Sequence, residues 1–141
     1  MTFVAGVVAL ILSSLALLHL YWAFGGAWGA KDAVPQRKGK PLFKPGPGAC
    51  TAVAALLVLA AVVVWSKAAG WSLPFLPGYW SRVGTLGVAL VFTGRAAGDF
   101  RWVGLFKRER SSRFARLDSW VYSPLCLLLG IGALLVAIVG R

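Results

Sequence analysis

The chain has 141 residues, 59% of them hydrophobic and 13% charged, with a formal net charge of +11 and a mean hydropathy of +0.77. So much apolar surface exceeds what a soluble domain of this length can bury, which excludes an ordinary water-soluble fold and points to a polytopic membrane protein. Nucleic acid is not expected as a partner: the basic residues flank apolar runs, where each gains about 1 kcal/mol beside anionic headgroups.

A helix crossing about 30 Å of hydrocarbon needs roughly 20 apolar residues. Four segments offer such a length, Phe3–Phe24, Ala49–Ser66, Trp80–Phe100 and Asp118–Val139. The expected fold is all-α, a single domain over residues 1–141 in which four transmembrane helices form a bundle. The first segment has no basic residue before it and is too long for the apolar core of a signal peptide, so it reads as a retained span.

In span one, Gly6, Ala9, Ser13, Ala16, His19 and Ala23 recur at steps of three or four. That spacing predicts a small-residue stripe facing the bundle, with the chain's one histidine on it. The first connection is rich in Gly and Pro and reads as a loop. Span two is Ala, Val and Leu with few distinguishing marks and is expected to face lipid. The second connection, Trp71 to Trp80, is aromatic and nearly uncharged, as suits the outer headgroup region.

Span three carries Gly84, Gly87, Gly94 and Gly98, and Gly94 with Gly98 forms a GxxxG, which predicts a close-packing face. The third connection mixes Phe100, Trp102, Phe106 and Phe114 with Arg and Lys, as an interfacial amphipathic segment whose charged tips reach water or lipid phosphate. In span four, a helix starting at Pro124 would be too short to cross. It is expected to start near Asp118, to kink at Pro124, and to align Asp118, Tyr122, Cys126 and Gly130 on one face.

Charge placement sets the orientation. The first loop holds Lys31, Arg37, Lys38, Lys40 and Lys44, and the third holds Arg101, Lys107, Arg108, Arg110, Arg113 and Arg116, eleven of the fifteen basic residues. Lys67, Arg82 and Arg141 lie toward the other side, and Arg95 lies within a span. Because cytoplasmic loops retain the excess of Lys and Arg, loops one and three are expected inside and both termini outside. Cys50 and Cys126 lack a CxxC spacing and read as packing thiols in a reducing setting.

At 1.5 Å per residue, His19 and Arg95 lie about 8 Å to the cytoplasmic side of the midplane, Tyr122 about 10 Å, and Asp99 and Asp118 about 14 to 15 Å. Ionisable groups at such depth need partners or a function. His19, Asp99 and Asp118 are the candidate acid–base residues. Arg95, Tyr122, Trp22, Trp28 and Arg101 are the candidate binding residues for an anionic head. Arg95 and Asp99, four apart, are expected to be able to pair on one helix face. The competing account of the cluster is an internal salt-bridge network that locks helices together.

Two segments, His19-Leu-Tyr-Trp-Ala-Phe-Gly-Gly-Ala-Trp-Gly29 and Gly94-Arg-Ala-Ala-Gly-Asp-Phe-Arg-Trp-Val-Gly-Leu-Phe-Lys107, carry a further signal. With Arg113-Phe-Ala-Arg-Leu-Asp118 and Tyr122-Ser-Pro-Leu-Cys-Leu127, they resemble the family known as domain of unknown function 3995. The resemblance covers nearly the whole chain. It implies a small bacterial four-helix membrane protein, hence a bacterial inner membrane, and brings no activity with it.

No cofactor is implied. A bis-histidine haem needs two imidazoles where the chain has one, and His19 with Cys126 and Asp118 would be an improvised zinc site. The expected partners are the lipid bilayer, its anionic headgroups, and a membrane protein partner or a second copy of the chain. Three functions stay open: binding of a lipid or amphiphile or service as an accessory subunit, a small membrane enzyme, and an oligomeric transporter. Transport is disfavoured because Asp32, Asp99, Glu109 and Asp118 all lie at or beyond the cytoplasmic boundary.

Overall fold

Glycine and proline punctuate every long helix. In the computed structural model, which describes residues 1–71 and 78–140, helix α1 spans Thr2–Ala23. It ends in a Schellman motif: Gly25 takes φ +91°, and the Gly25 and Gly26 amides donate to the carbonyls of Trp22 and Tyr21. After a short 3₁₀ turn at Ala30–Asp32, strands β1 (Gln36–Arg37) and β2 (Lys40–Pro41) form a small antiparallel hairpin. Lys38 and Gly39 both take positive φ, as a two-residue primed turn requires. Helix α2, Pro47–Ala69, opens with its proline in the first turn and closes on Gly70 at φ +68°.

Helix α3 spans Tyr79–Ala97, and Gly98, at φ +86°, turns the chain out of it. A continuous helix then runs over Arg113–Val139. It comprises α4 (Arg113–Leu117), a π-helical turn (Asp118–Tyr122) and α5 (Ser123–Val139). The expectation for the second connection falls mostly on residues 72–77, which lie outside the described residues.

Among the described residues, three helices are long and apolar enough to cross a membrane, Thr2–Ala23, Pro47–Ala69 and Arg113–Val139. These are the marks of a membrane protein. Helix α3 does not reach that composition. Its 19 residues include Arg82 and Arg95, and at 1.5 Å each they extend only roughly 28 Å.

Helix α1 packs mainly on α2 and α3 mainly on α5. Ala5, Val8, Leu12 and Ala16 form one buried cluster with Ala54, Leu57, Ala61, Val64 and Ala68, and Ala89, Leu129, Ala133 and Val136 complete it. Small side chains let the backbones approach, and between helices in lipid it is this close van der Waals contact that binds them. Hydroxyls inside the helices bond back to their own turns, Thr85 to Ser81 O at 2.7 Å and Thr93 to Ala89 O at 2.7 Å. They therefore present no unsatisfied donor to hydrocarbon.

Three packing expectations are corrected here. Helix α2 is not a lipid-facing rod, since Cys50, Ala54, Leu57, Ala61, Val64 and Ala68 form a buried stripe. The buried face of α1 runs along Ala5, Val8, Leu12 and Ala16, so Ser13 is exposed and the small-residue stripe is rotated by about one residue. In α3 the buried residues are Thr85, Ala89 and Ala96, while a Cβ on Gly87 or Gly94 would meet nothing within 4 Å. Gly84 does make the expected close approach, a Cβ there standing 2.8 Å from Val63 of α2, whereas the approach of α3 to α5 is made by Gly130, where a Cβ would press on Thr93 and stand 3.2 Å from Ala89 O.

Candidate functional site

The π turn decides what Asp118 can touch. Pro124 has no amide to give to the carbonyl four residues back, and the Ser123 amide donates to Asp118 O, five residues back. The extra residue accommodates the proline within one continuous helix and places Asp118 and Ser123 together on the buried side. The expected face of Asp118, Tyr122, Cys126 and Gly130 is corrected accordingly: Asp118 and Gly130 are buried, but Tyr122 and Cys126 are only partly so.

Fully removed from solvent, the Asp118 carboxylate accepts four hydrogen bonds. Its Oδ1 takes Arg95 Nη2 at 2.9 Å and the Ser123 hydroxyl at 3.1 Å. Its Oδ2 takes the Gly104 amide at 2.7 Å and Lys107 Nζ at 3.0 Å. Lys107, expected among the loop charges that reach water or phosphate, is instead fully buried. Its ammonium donates its other two hydrogens to Gly104 O at 2.9 Å and Ser119 Oγ at 2.7 Å. Two cations thus surround one anion. Arg95 keeps a buried Nη1 with no hydrogen-bond partner among the described residues.

The loop that delivers Gly104 and Lys107 is irregular. Gly98 and Gly104 both take positive φ and cross so closely that a Cβ on either would strike the other's backbone. Asp99 fixes the turn between them: one carboxylate oxygen accepts the amides of Arg101, Trp102 and Val103 at 2.9, 2.7 and 2.9 Å. Slight burial works to raise the Asp99 pKa, but these amides outweigh it and hold the carboxyl below its ordinary value. The expected Arg95–Asp99 pairing does not occur, because the helix ends at Ala97 and Gly98 takes Asp99 off the face that holds Arg95.

The remaining predicted residues lie apart from this cluster. The Nδ1–H of His19 donates to Leu15 O of its own helix at 2.8 Å, and its ring meets Trp22 edge-on at 5.0 Å. Among the described residues no hydrogen bond joins His19 to Asp99 or Asp118. Trp22 donates from Nε1 to Trp28 O at 2.8 Å, which folds the glycine turn back over the end of α1. Tyr122 donates to Asp32 O at 3.2 Å, and Arg113 pairs with the Asp32 carboxylate at 3.2 Å. Asp32 thereby clasps the first loop to the last helix. Both cysteines are free thiols, Cys50 being buried.

Arg101 places its guanidinium over the Trp102 ring at 5.1 Å. Both line a cleft of about 600 Å³ with Arg37, Asp99, Phe100, Arg108 and Glu109. Sequence reasoning missed Arg37 and Arg108 as lining residues, and Lys107 as a member of the cluster. The hairpin and the glycine crossing bring them there, and neither leaves a spacing that can be read from the chain.

The fold and the cluster define a helical protein with three helices long and apolar enough to cross a membrane and a charge hub beneath the loop that follows α3. Residues 12–133 match the family described as protein of unknown function (DUF3995), and the chain belongs to that family. No curated protein and no solved structure matches the chain.

Proposed function

We propose that this chain is a non-enzymatic bacterial inner-membrane protein that binds an anionic amphiphile at Arg95. In this reading α3 also crosses the bilayer, the two basic loops face the cytoplasm, and both termini lie outside. The eleven-to-three distribution of basic residues supports that orientation. The observation that carries the binding role is the buried Arg95 Nη1, which has no hydrogen-bond partner among the described residues, next to a carboxylate already shared by two cations. The Arg95 side chain is 34% exposed, so an anion can reach it from outside the hub, and two cations sharing one carboxylate leave a net positive charge that favours one.

Acid–base chemistry fits less well. Asp118 has four acceptor positions and all are occupied. Asp99 is engaged by backbone amides, and neither carboxylate orients His19. The same geometry also suits an accessory subunit whose charge hub serves only to hold its helices.

The test is purification of the full chain in mild detergent, followed by native mass spectrometry of what stays bound. Arg95→Lys keeps a cation for Asp118 but removes the second guanidinium amine. It should retain the thermal midpoint and lose the bound anionic amphiphile, whereas His19→Gln should retain both. An unchanged complement on the Arg95→Lys protein would overturn the reading.

A further inference from the structure

We infer that the cleft between the two basic loops is a second, separate anion site, which takes the phosphate of an anionic phospholipid headgroup. Arg37 reaches it from the end of β1, and Arg101 and Arg108 reach it from the loop after α3. All three are exposed, and among the described residues none makes an ion pair. Guanidinium groups converging on one cleft match phosphate oxygens through paired N–H donors. Two carboxylates share the lining and keep their charge, Glu109 within Coulomb reach of Arg37, so the three guanidiniums leave the cleft with a net positive charge. Asp99 accepts three loop amides, and one Glu109 oxygen accepts the hydroxyl and amide of Ser111.

A lipid, in preference to free phosphate, is indicated by what stands beside the arginines. Phe100 and Phe106 are 62% and 65% exposed, with their rings 6.3 Å apart. Phe100 holds its ring outward from a backbone at φ +61°, a conformation that bulky side chains rarely adopt. An exposed aromatic pair directly after a helix of this kind suits the headgroup boundary, where it would seat the cleft against lipid phosphates. The site rests on the membrane reading above but not on Arg95.

The experiment uses the full chain in phosphatidylcholine nanodiscs, with phosphatidylglycerol or inorganic phosphate titrated in separate arms. Arg37→Gln, Arg101→Gln and Arg108→Gln should each weaken phosphatidylglycerol binding about fivefold, the effect of one basic residue near the surface. Lys44→Gln and Arg110→Gln, loop charges outside the cleft, should change it by less than about twofold. Phe106→Ser, at an exposed position, should weaken lipid binding and leave inorganic phosphate binding unchanged. Equal losses for all five charge variants would mean diffuse attraction and overturn the site. Inorganic phosphate competing as well as the lipid would overturn the assignment to lipid. Either failure leaves the Arg95→Lys comparison intact, so the two readings fall separately.

Discussion

Lys107 and Asp118 form an ion pair at 3.0 Å in which neither side chain retains any exposure to solvent. The lysine belongs to a loop and the aspartate to a helix long and apolar enough to cross a membrane, so the pair pins the one to the other. Removing the shared anion strands two cations. Asp118→Asn should therefore lose about 3–5 kcal/mol of stability, the cost of leaving a buried charge without its partner. Lys107→Met should cost less, because Arg95, Ser123 and Gly104 still satisfy the carboxylate. Unfolding midpoints in detergent would give this order, and an Asp118→Asn protein as stable as wild type would refute the hub.

Acid should loosen the turn that Asp99 holds. Its folded pKa is depressed by three amide donors, so its contribution is complete above the unfolded value of about 3.9 and fades as pH falls through the lower folded value. Hydrogen exchange across residues 98–105 should accelerate only below about pH 4. At neutral pH, Asp99→Ala should cost about 1 kcal/mol, by analogy with loss of a side-chain cap. Unchanged protection in that variant would show that the glycine crossing alone fixes the loop.

Gly130 and two of the α3 glycines, Gly87 and Gly94, should behave in opposite ways. Gly130→Val forces side-chain atoms against Thr93 and the Ala89 carbonyl and should cost about 1–3 kcal/mol as α3 and α5 separate. Gly87→Ala and Gly94→Ala meet open space and gain helix propensity, so they should be neutral or slightly stabilising. A large loss at Gly94 would instead indicate a partner helix seated on that face.

Sidedness can be read with Gly46→Cys and Gly78→Cys, two positions where an added side chain meets nothing within 4 Å. In a background of Cys50→Ala and Cys126→Ala, an impermeant thiol reagent applied to whole cells should label the cysteine at 78 and spare the one at 46. The reverse pattern would invert the proposed orientation.

The helices were legible in the chain because apolar runs bounded by Gly and Pro have few alternatives, and observed ends fall within a few residues of those expected. That Arg95 and Asp118 belong to one polar cluster was legible from their place at the same end of the spans. Lys107 was not, because a lysine among five arginines looks like any headgroup charge until the chain reversal at Gly98 and Gly104 carries it under Asp118. The i,i+4 rule failed for Arg95 and Asp99 for a local reason, a positive-φ glycine standing between them. Glycine spacing shows where backbones are able to approach. Whether they do depends on the opposite surface, and here Thr93 and Ala89 face Gly130.

The π turn at Asp118–Tyr122 amounts to a change of phase within one helix. Below it the spiral must aim a carboxylate at the loop after α3; above it, the same spiral must aim Gly130 and Ala133 at the core. A uniform α-helix advances about 100° per residue, so the two aims are reconciled by one additional residue between them. Deleting the exposed Val121 would restore a regular spiral at the expense of one aim, turning the hub or the core face away by about that angle. The helix thus carries its two tasks on separate registers, joined at a turn whose length cannot change.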